Sequence, residues 1–186
     1  MPTTTLTNIE ADPIILGSGE LYLGTVANAN TATEDVILLA LKNVGAIESG
    51  ASLIYKPTIK EIDSANRGTV ARFISKEEVN FKCGVMTWII DNLALLSPAS
   101  VTTEAITGTK KVRIGGKGSL PVNYLRFIHT KKAGGTLTVN VMKAQNTSGF
   151  TLTFDNEKPT SVNYEFSALS LTDGTLVEII ETFPVV

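Results

Sequence analysis

What this chain of 186 residues lacks narrows its chemistry before any pattern is read. A single cysteine, Cys83, forbids an internal disulfide and fits a chain made and folded in a reducing cytoplasm. One histidine, His129, beside that one cysteine cannot supply the four ligands of a structural zinc site. A Ser-His-Asp or Cys-His nucleophile would have to recruit His129, which sits in the alternating run Tyr124 to His129. An imidazole on a strand with a surface or interface partner is the commoner arrangement. Cys83 shares an apolar face with Val79, Phe81 and Val85, where a buried thiol is ordinarily inert packing. No cofactor and no enzymatic activity are expected.

No apolar stretch is long enough to cross a bilayer, so no membrane partner is expected. Met1-Pro-Thr-Thr-Thr has neither the basic segment nor the apolar run of a secretory signal. Charged residues make up 18% of the chain against 43% apolar ones, which suits a globular core and argues against a disordered tail or a nucleic-acid wrapper. The Asn146-Thr147-Ser148 sequon, without an export signal, reads as a turn.

The stretch that is richest in pattern runs from Ala46 to Ser97, a ribbon that goes out, turns and returns to one short helix. On the return arm Val79, Phe81, Cys83 and Val85 face one way while Lys76, Glu78, Asn80 and Lys82 face the other, the period-two signature of a half-buried strand. On the outgoing arm Leu53, Tyr55 and Ile59 oppose Ser52, Lys56, Thr58 and Lys60. Between the arms, Asp63-Ser-Ala-Asn-Arg-Gly-Thr69 reads as a polar loop that cannot order itself by burial. Ile89, Leu93 and Leu96 stand at helical spacing before the stop at Ser97-Pro98.

The remainder reads as a single mainly β domain over residues 14–186, an antiparallel sandwich or barrel with that one flanking helix, behind an N-terminal arm of residues 1–13. Ile14 to Gly24 reads as a strand with a bulge, and the wholly apolar run Asp35 to Asn43, which periodicity alone does not classify, is taken as a strand. Strands follow at Lys110 to Ile114, Val122 to Thr130 and Thr136 to Lys143, with hairpin turns at Gly115 to Gly118 and Lys131 to Gly135. Two more, near Ser161 to Ser170 and Thr175 to Thr182, flank Thr172-Asp173-Gly174, an Asp-Gly hairpin signal. Gly115-Gly116-Lys117-Gly118-Ser119 lacks the spacing of a phosphate loop and reads as a turn. Glu77 and Glu78 are neighbours on a strand and point to opposite faces, so they are not a cooperating acid and base.

Charge is unevenly distributed. Residues 105–154 hold no acid and eight basic side chains, including Lys110, Lys111, Arg113, Lys117, Lys131 and Lys132. Residues 1–104 hold seven basic and twelve acidic side chains, and residues 155–186 one basic and six acidic, giving net charges of −5, +8 and −5 in turn and −2 for the whole. A basic stretch invites a nucleic-acid reading. Without a reading motif, complementarity to the acidic flanks of another copy ranks above it, because that would orient identical subunits head to tail.

Two stretches carry a resemblance: Ile14 to Leu23, and Gly45-Ala46-Ile47-Glu48-Ser49-Gly50-Ala51 running through the ribbon to Asp91-Asn92-Leu93-Ala94-Leu95-Leu96. They resemble the major tail tube proteins of long-tailed bacteriophages, especially those infecting Firmicutes. The resemblance implies a sandwich or barrel with a flanking helix, assembled into stacked hexameric rings that form the conduit for DNA delivery. The subunit would be made in the host cytoplasm and reside in the virion tail. Its partners would be itself, the tape measure, terminator and initiator proteins, and genomic DNA passing through without sequence-specific binding. In such proteins a long loop reaches the adjacent ring, which here falls on Asp63, Ser64, Ala65, Asn66, Arg67, Gly68, Thr69, Val70, Ala71 and Arg72. The row Lys76, Glu78, Asn80 and Lys82 is then a lumen or interface face. The competing expectation is a β-sandwich glycan-binding or adhesive module, which ordinarily shows exposed aromatics for sugar stacking. The one tryptophan, Trp88, lies beside the expected helix instead.

Overall fold

The computed structural model describes residues 19–183, apart from 88, 117, 133, 153–155 and 157–160. The 1–13 arm, the first residues of the strand expected from Ile14, Trp88 and Lys117 lie outside the described residues. The described chain is mainly β. Its elements are β1 (Glu20–Gly24), α1 (Glu34–Ala40), β2 (Lys42–Asn43), β3 (Ile47–Ser64), β4 (Gly68–Val85), α2 (Asn92–Leu96), β5 (Ala99–Glu104), β6 (Thr109–Ile114), β7 (Asn123–Thr130), β8 (Thr136–Asn146), β9 (Val162–Ala168) and β10 (Glu178–Glu181).

All strand pairs are antiparallel. The main sheet runs β2-β1-β7-β8-β9-β4-β3, with β10 alongside β8. One edge of β8 is shared, by β10 at Leu137 to Asn140 and by β9 at Ala144 to Asn146. Three strand spacings separate β7 from β4, roughly 14 Å across a flat sheet. Yet the Phe127 ring of β7 stands 5.5 Å from the Phe81 ring of β4. The sheet therefore curls over at β8 and β9 and faces itself. Inside the curl lie Leu21 and Leu23 of β1, Leu125 of β7, Val141 of β8, Phe166 of β9, and Phe81, Cys83 and Val85 of β4.

α2 closes one end of the curl, burying Leu93 and Leu96. Its last carbonyls have no helical partner. Buried asparagines supply donors: Asn123 Nδ2 bonds the Leu95 carbonyl, and Asn146 Nδ2 bonds the Leu96 carbonyl at 2.9 Å. Asn92 Nδ2 donates to Val44 O at 3.1 Å, tying the helix to the residue that follows β2. The sequon asparagine is thus an interior cap, 2% exposed, with no room for a glycan.

Three expectations need correction. The run from Asp35 is helix α1, not a strand: Glu34 and Asp35 sit in its first turn, where acids favour the helix dipole, and leucine and alanine favour helix in its body. The fold therefore has two short helices among the described residues, not one. Gly115 to Gly118 does not turn a hairpin, because β6 pairs with β5, a strand the periodicity reading missed, and forms a separate two-stranded sheet. Asp173-Gly174 makes a local turn, with Gly174 N bonding Leu171 O at 3.1 Å. The strands it joins part company: β9 pairs with β4 and β8, whereas β10 pairs with β8. The Lys131 to Gly135 hairpin and the ribbon's alternation are as the sequence indicates.

Candidate assembly surfaces

β3 and β4 are 18 residues each and pair almost throughout. β9 stops pairing with β4 at Asn80, and from there to Gly68 the two strands continue without a third among the described residues, for roughly 40 Å at ~3.4 Å per residue. The polar excursion at 63–72 is the end of this ribbon, not a loop. Ser64 pairs with Gly68, so only Ala65, Asn66 and Arg67 turn, while Asp63, Ser64, Thr69, Ala71 and Arg72 are paired strand residues and Val70 is a bulge residue among them. Pairing and local side-chain bonds order it where burial does not. Thr69 Oγ1 donates to Asp63 Oδ1 at 2.7 Å, and Arg72 Nε reaches Glu61 Oε1 at 2.6 Å.

Cross-strand partners share a face. Ile59 pairs with Ile74 on one face; Ile62 pairs with Ala71, and Lys60 with Phe73, on the other. Register shifts between Thr58 and Ile59 and between Ile62 and Asp63 leave Ser75 and Val70 as extra residues on β4. Such bulges increase the local twist. Ile59 and Ile74 are each 54% exposed, Ile62 51%, Val70 53% and Phe73 49%. Both faces of the distal ribbon thus present half-exposed apolar side chains, beside the Glu61–Arg72 pair on one face and Lys60 on the other. Completing the burial of these five side chains is worth about 1 kcal/mol each. The sum, about 5 kcal/mol, only matches the low end of what association costs. One such contact does not hold two molecules together, whereas several closing at once do.

Lys76, Glu78, Asn80 and Lys82 do form one row on the ribbon's polar face. Lys76 pairs with Glu78, Lys82 Nζ lies 3.1 Å from Glu165 Oε2, and Ser167 Oγ donates to Asn80 Oδ1 at 2.7 Å. The hydrogen bond from Lys76, with its charge second, holds the Glu78 carboxyl below the usual range. The row carries both signs: Lys76 and Glu78 offset each other, and Glu165 of β9 offsets Lys82.

The basic stretch does not form one surface. Lys110, Lys111 and Arg113 lie on β6, whose root adjoins the Asn123 end of β7 through α2, since Gly115 N bonds Pro98 O and Asn123 bonds Leu95 O. Lys131 and Lys132 follow the other end of β7, eight residues or roughly 25 Å away. Lys110 and Lys111 pair with Asp91 and Glu104, and Lys131 with Glu181. Lys117 lies outside the described residues.

Sequence reading missed a polar ladder on the sheet's outer face. Register aligns Tyr22, Arg126, Asn140 and Glu178 across β1, β7, β8 and β10. Arg126 Nε donates to Asn140 Oδ1 at 2.8 Å, Asn140 Nδ2 donates to Glu178 Oε2 at 3.1 Å, and the rest of the guanidinium forks onto Glu34 of α1. The ladder pins α1 and β10 to the sheet. Its only signal in the sequence is an arginine among apolar residues in β7.

An open cleft of about 510 Å³ runs past Cys83, lined also by Ser52, Lys82, Tyr164 and Glu165. Burial pushes the Cys83 thiol up to about 12, so it carries almost no thiolate at neutral pH. Among the described residues no three or more His, Cys, Asp or Glu side chains gather as a metal site. None of the described helices is long and apolar enough to cross a membrane. No known protein-family model matches the sequence, and no curated protein matches it.

Proposed function

We propose that this protein is a structural subunit of a phage tail tube, a non-enzymatic building block that closes into hexameric rings and stacks axially into a conduit for DNA. The observation that carries this reading is the distal ribbon, with half-exposed apolar side chains on both faces and, among the described residues, no third strand along its length. Exposed apolar patches of this kind mark surfaces that a neighbouring molecule covers. The sheet supports the reading, because among the described residues β3 and β2 end it as edges that another copy can extend. The resemblance of Ile14 to Leu23 and of Gly45 to Leu96 to tail tube proteins supports it independently.

Ring closure by edge pairing and ring stacking by the ribbon make a cooperative polymer, since each contact alone is weak. Genomic DNA, a tape measure protein and terminator and initiator proteins are the partners that the resemblance implies. The mixed-sign Lys76 to Lys82 row suits a wet wall or an interface.

The test shortens the ribbon in register. Thr58 pairs directly with Lys76, so residues 59–75 can be replaced by Asn-Gly, a two-residue turn that suits antiparallel strands. At high concentration, negative-stain microscopy shows rings or tubes for the full chain and folded particles without tubes for the shortened one. A full chain that remains a monomer at all concentrations overturns the proposal, as does tube formation by the shortened chain.

A further inference from the structure

The β5–β6 hairpin stands apart as its own two-stranded sheet. A lone hairpin is marginally stable in water. This one is anchored by half-buried Val101 and Val112, which pair across it, and by Lys110 Nζ against Asp91 Oδ2 at 2.6 Å. Its tip, residues 105–108, carries Ile106 at 102% exposure, as open as in an unfolded chain. Residues 99–114 hold Lys110, Lys111 and Arg113 against Glu104 alone, a net charge of +2. Lys111, whose Nζ lies 2.8 Å from Glu104 Oε1, and Arg113 share the outer face, away from the Val101–Val112 pair.

A cleft of about 440 Å³ opens between α1 and residues 171–180. That volume is within the usual range, about 300–1,000 Å³, of pockets that take up a small group. Its apolar lining includes Ile37, Leu171, Val177 and Ile180. Its charged lining is Glu34, Asp173 and Glu178 with Arg126. The arginine is already committed to Glu34 and Asn140. The cleft thus combines apolar side chains with the polar groups of Arg126 and Asn140, and its three acids against one arginine give it a charge opposite in sign to that of the hairpin carrying the apolar tip. Ile106 is fully exposed in the single molecule, so it does not occupy the cleft of its own chain.

We propose that the β5–β6 hairpin of one copy inserts Ile106 into the α1–β10 cleft of a second copy, with Lys111 and Arg113 meeting Asp173 and Glu178. Tip and socket are different surfaces, so the contact is head-to-tail and builds rings or filaments. It requires self-association of this chain but not a tube.

Cysteine cross-linking tests it, because the one native thiol is buried. Ile106→Cys and Ile180→Cys chains, mixed and oxidised with copper phenanthroline, give a disulfide-linked heterodimer at about ten times the yield of an Ile114→Cys and Ile180→Cys control, the ratio that about 1.4 kcal/mol of preference produces. Reversing Lys111 and Arg113 to glutamate weakens self-association about tenfold, and reversing Asp173 and Glu178 to lysine in the same chain restores it. Cross-linking no greater than the control, or no restoration, overturns the contact. Tubes that form without the cross-link overturn this contact alone, whereas cross-linked rings or filaments without a bore support it and overturn the tube.

Discussion

Arg126 forks onto both carboxylate oxygens of Glu34, its partner 92 residues upstream, with its second terminal nitrogen 3.0 Å from Oε2. The arginine side chain is 8% exposed and the glutamate 59%. The two ends of this bond therefore differ in worth. Arg126→Ala strips a buried donor set from Asn140 and Glu34 and costs about 3 kcal/mol, read as a lower urea midpoint. Glu34→Gln leaves the arginine its other partners and, being largely screened by solvent, costs less than about 1 kcal/mol. Equal losses from the two substitutions would show that the pair, not the buried ladder, holds α1.

The same bond makes α1 sensitive to acid. The hydrogen bond from Arg126 holds the Glu34 carboxyl below its usual value, against a smaller opposing effect of burial. A carboxyl lowered by folding stabilises the fold above its unfolded value and ceases to do so as pH falls through the folded one. The difference in melting temperature between the wild type and Glu34→Gln should be present at pH 7 and shrink towards zero as pH falls below 4.5. A difference unchanged at pH 3 would mean that the glutamate acts by packing.

How much of this was legible in the sequence depends on whether a feature is local. The alternation of Val79, Phe81, Cys83 and Val85 is written in period two and survives in β4. The Asp35 run failed because it has no polar positions to reveal a period, and the acids that favour a helix stand only at its start. Asp173-Gly174 names a turn correctly but says nothing of which strands pair. The tip at 63–72 read as a loop because its bonds, Thr69 to Asp63 and Arg72 to Glu61, form between residues that only the pairing register brings together. Asn146 read as part of a turn; its role depends on a carbonyl 50 residues away.

That carbonyl gives a direct test. Asn146→Ala leaves Leu96 O without its buried donor and costs about 2 kcal/mol. Hydrogen exchange in α2 should quicken with it, since the helix loses a C-terminal cap. Loss of stability with unchanged exchange in α2 would place the role of Asn146 at Gly149 O, its other acceptor.

Cys83 reports on the closure of the sheet. It is 6% exposed, and burial raises its thiol to about 12. At pH 8 an aromatic disulfide reagent should leave the native protein unlabelled over hours and react completely in denaturant, with a native rate that follows global unfolding. Fast labelling without denaturant would show that β4 and β9 open locally along the cleft beside them.

The ribbon separates folding from assembly more cleanly than any other part of the molecule. Ile59 and Ile74 occupy one face and Ile62 and Phe73 the other, all about half exposed. In a chain that functions as a monomer, Thr at each of these positions shifts stability by less than about 0.5 kcal/mol and changes nothing else. If neighbours cover the ribbon, the same substitutions leave the melting temperature of the single molecule in place and weaken assembly, measured by sedimentation velocity. Each face is tested separately, with Ile59→Thr/Ile74→Thr against Ile62→Thr/Phe73→Thr. Loss of assembly from both pairs means that the ribbon is sandwiched, with a neighbour on either side; loss from one pair alone means that it lies flat on a single surface. A marked fall in the melting temperature of the isolated chain would instead show that these side chains already belong to its own fold.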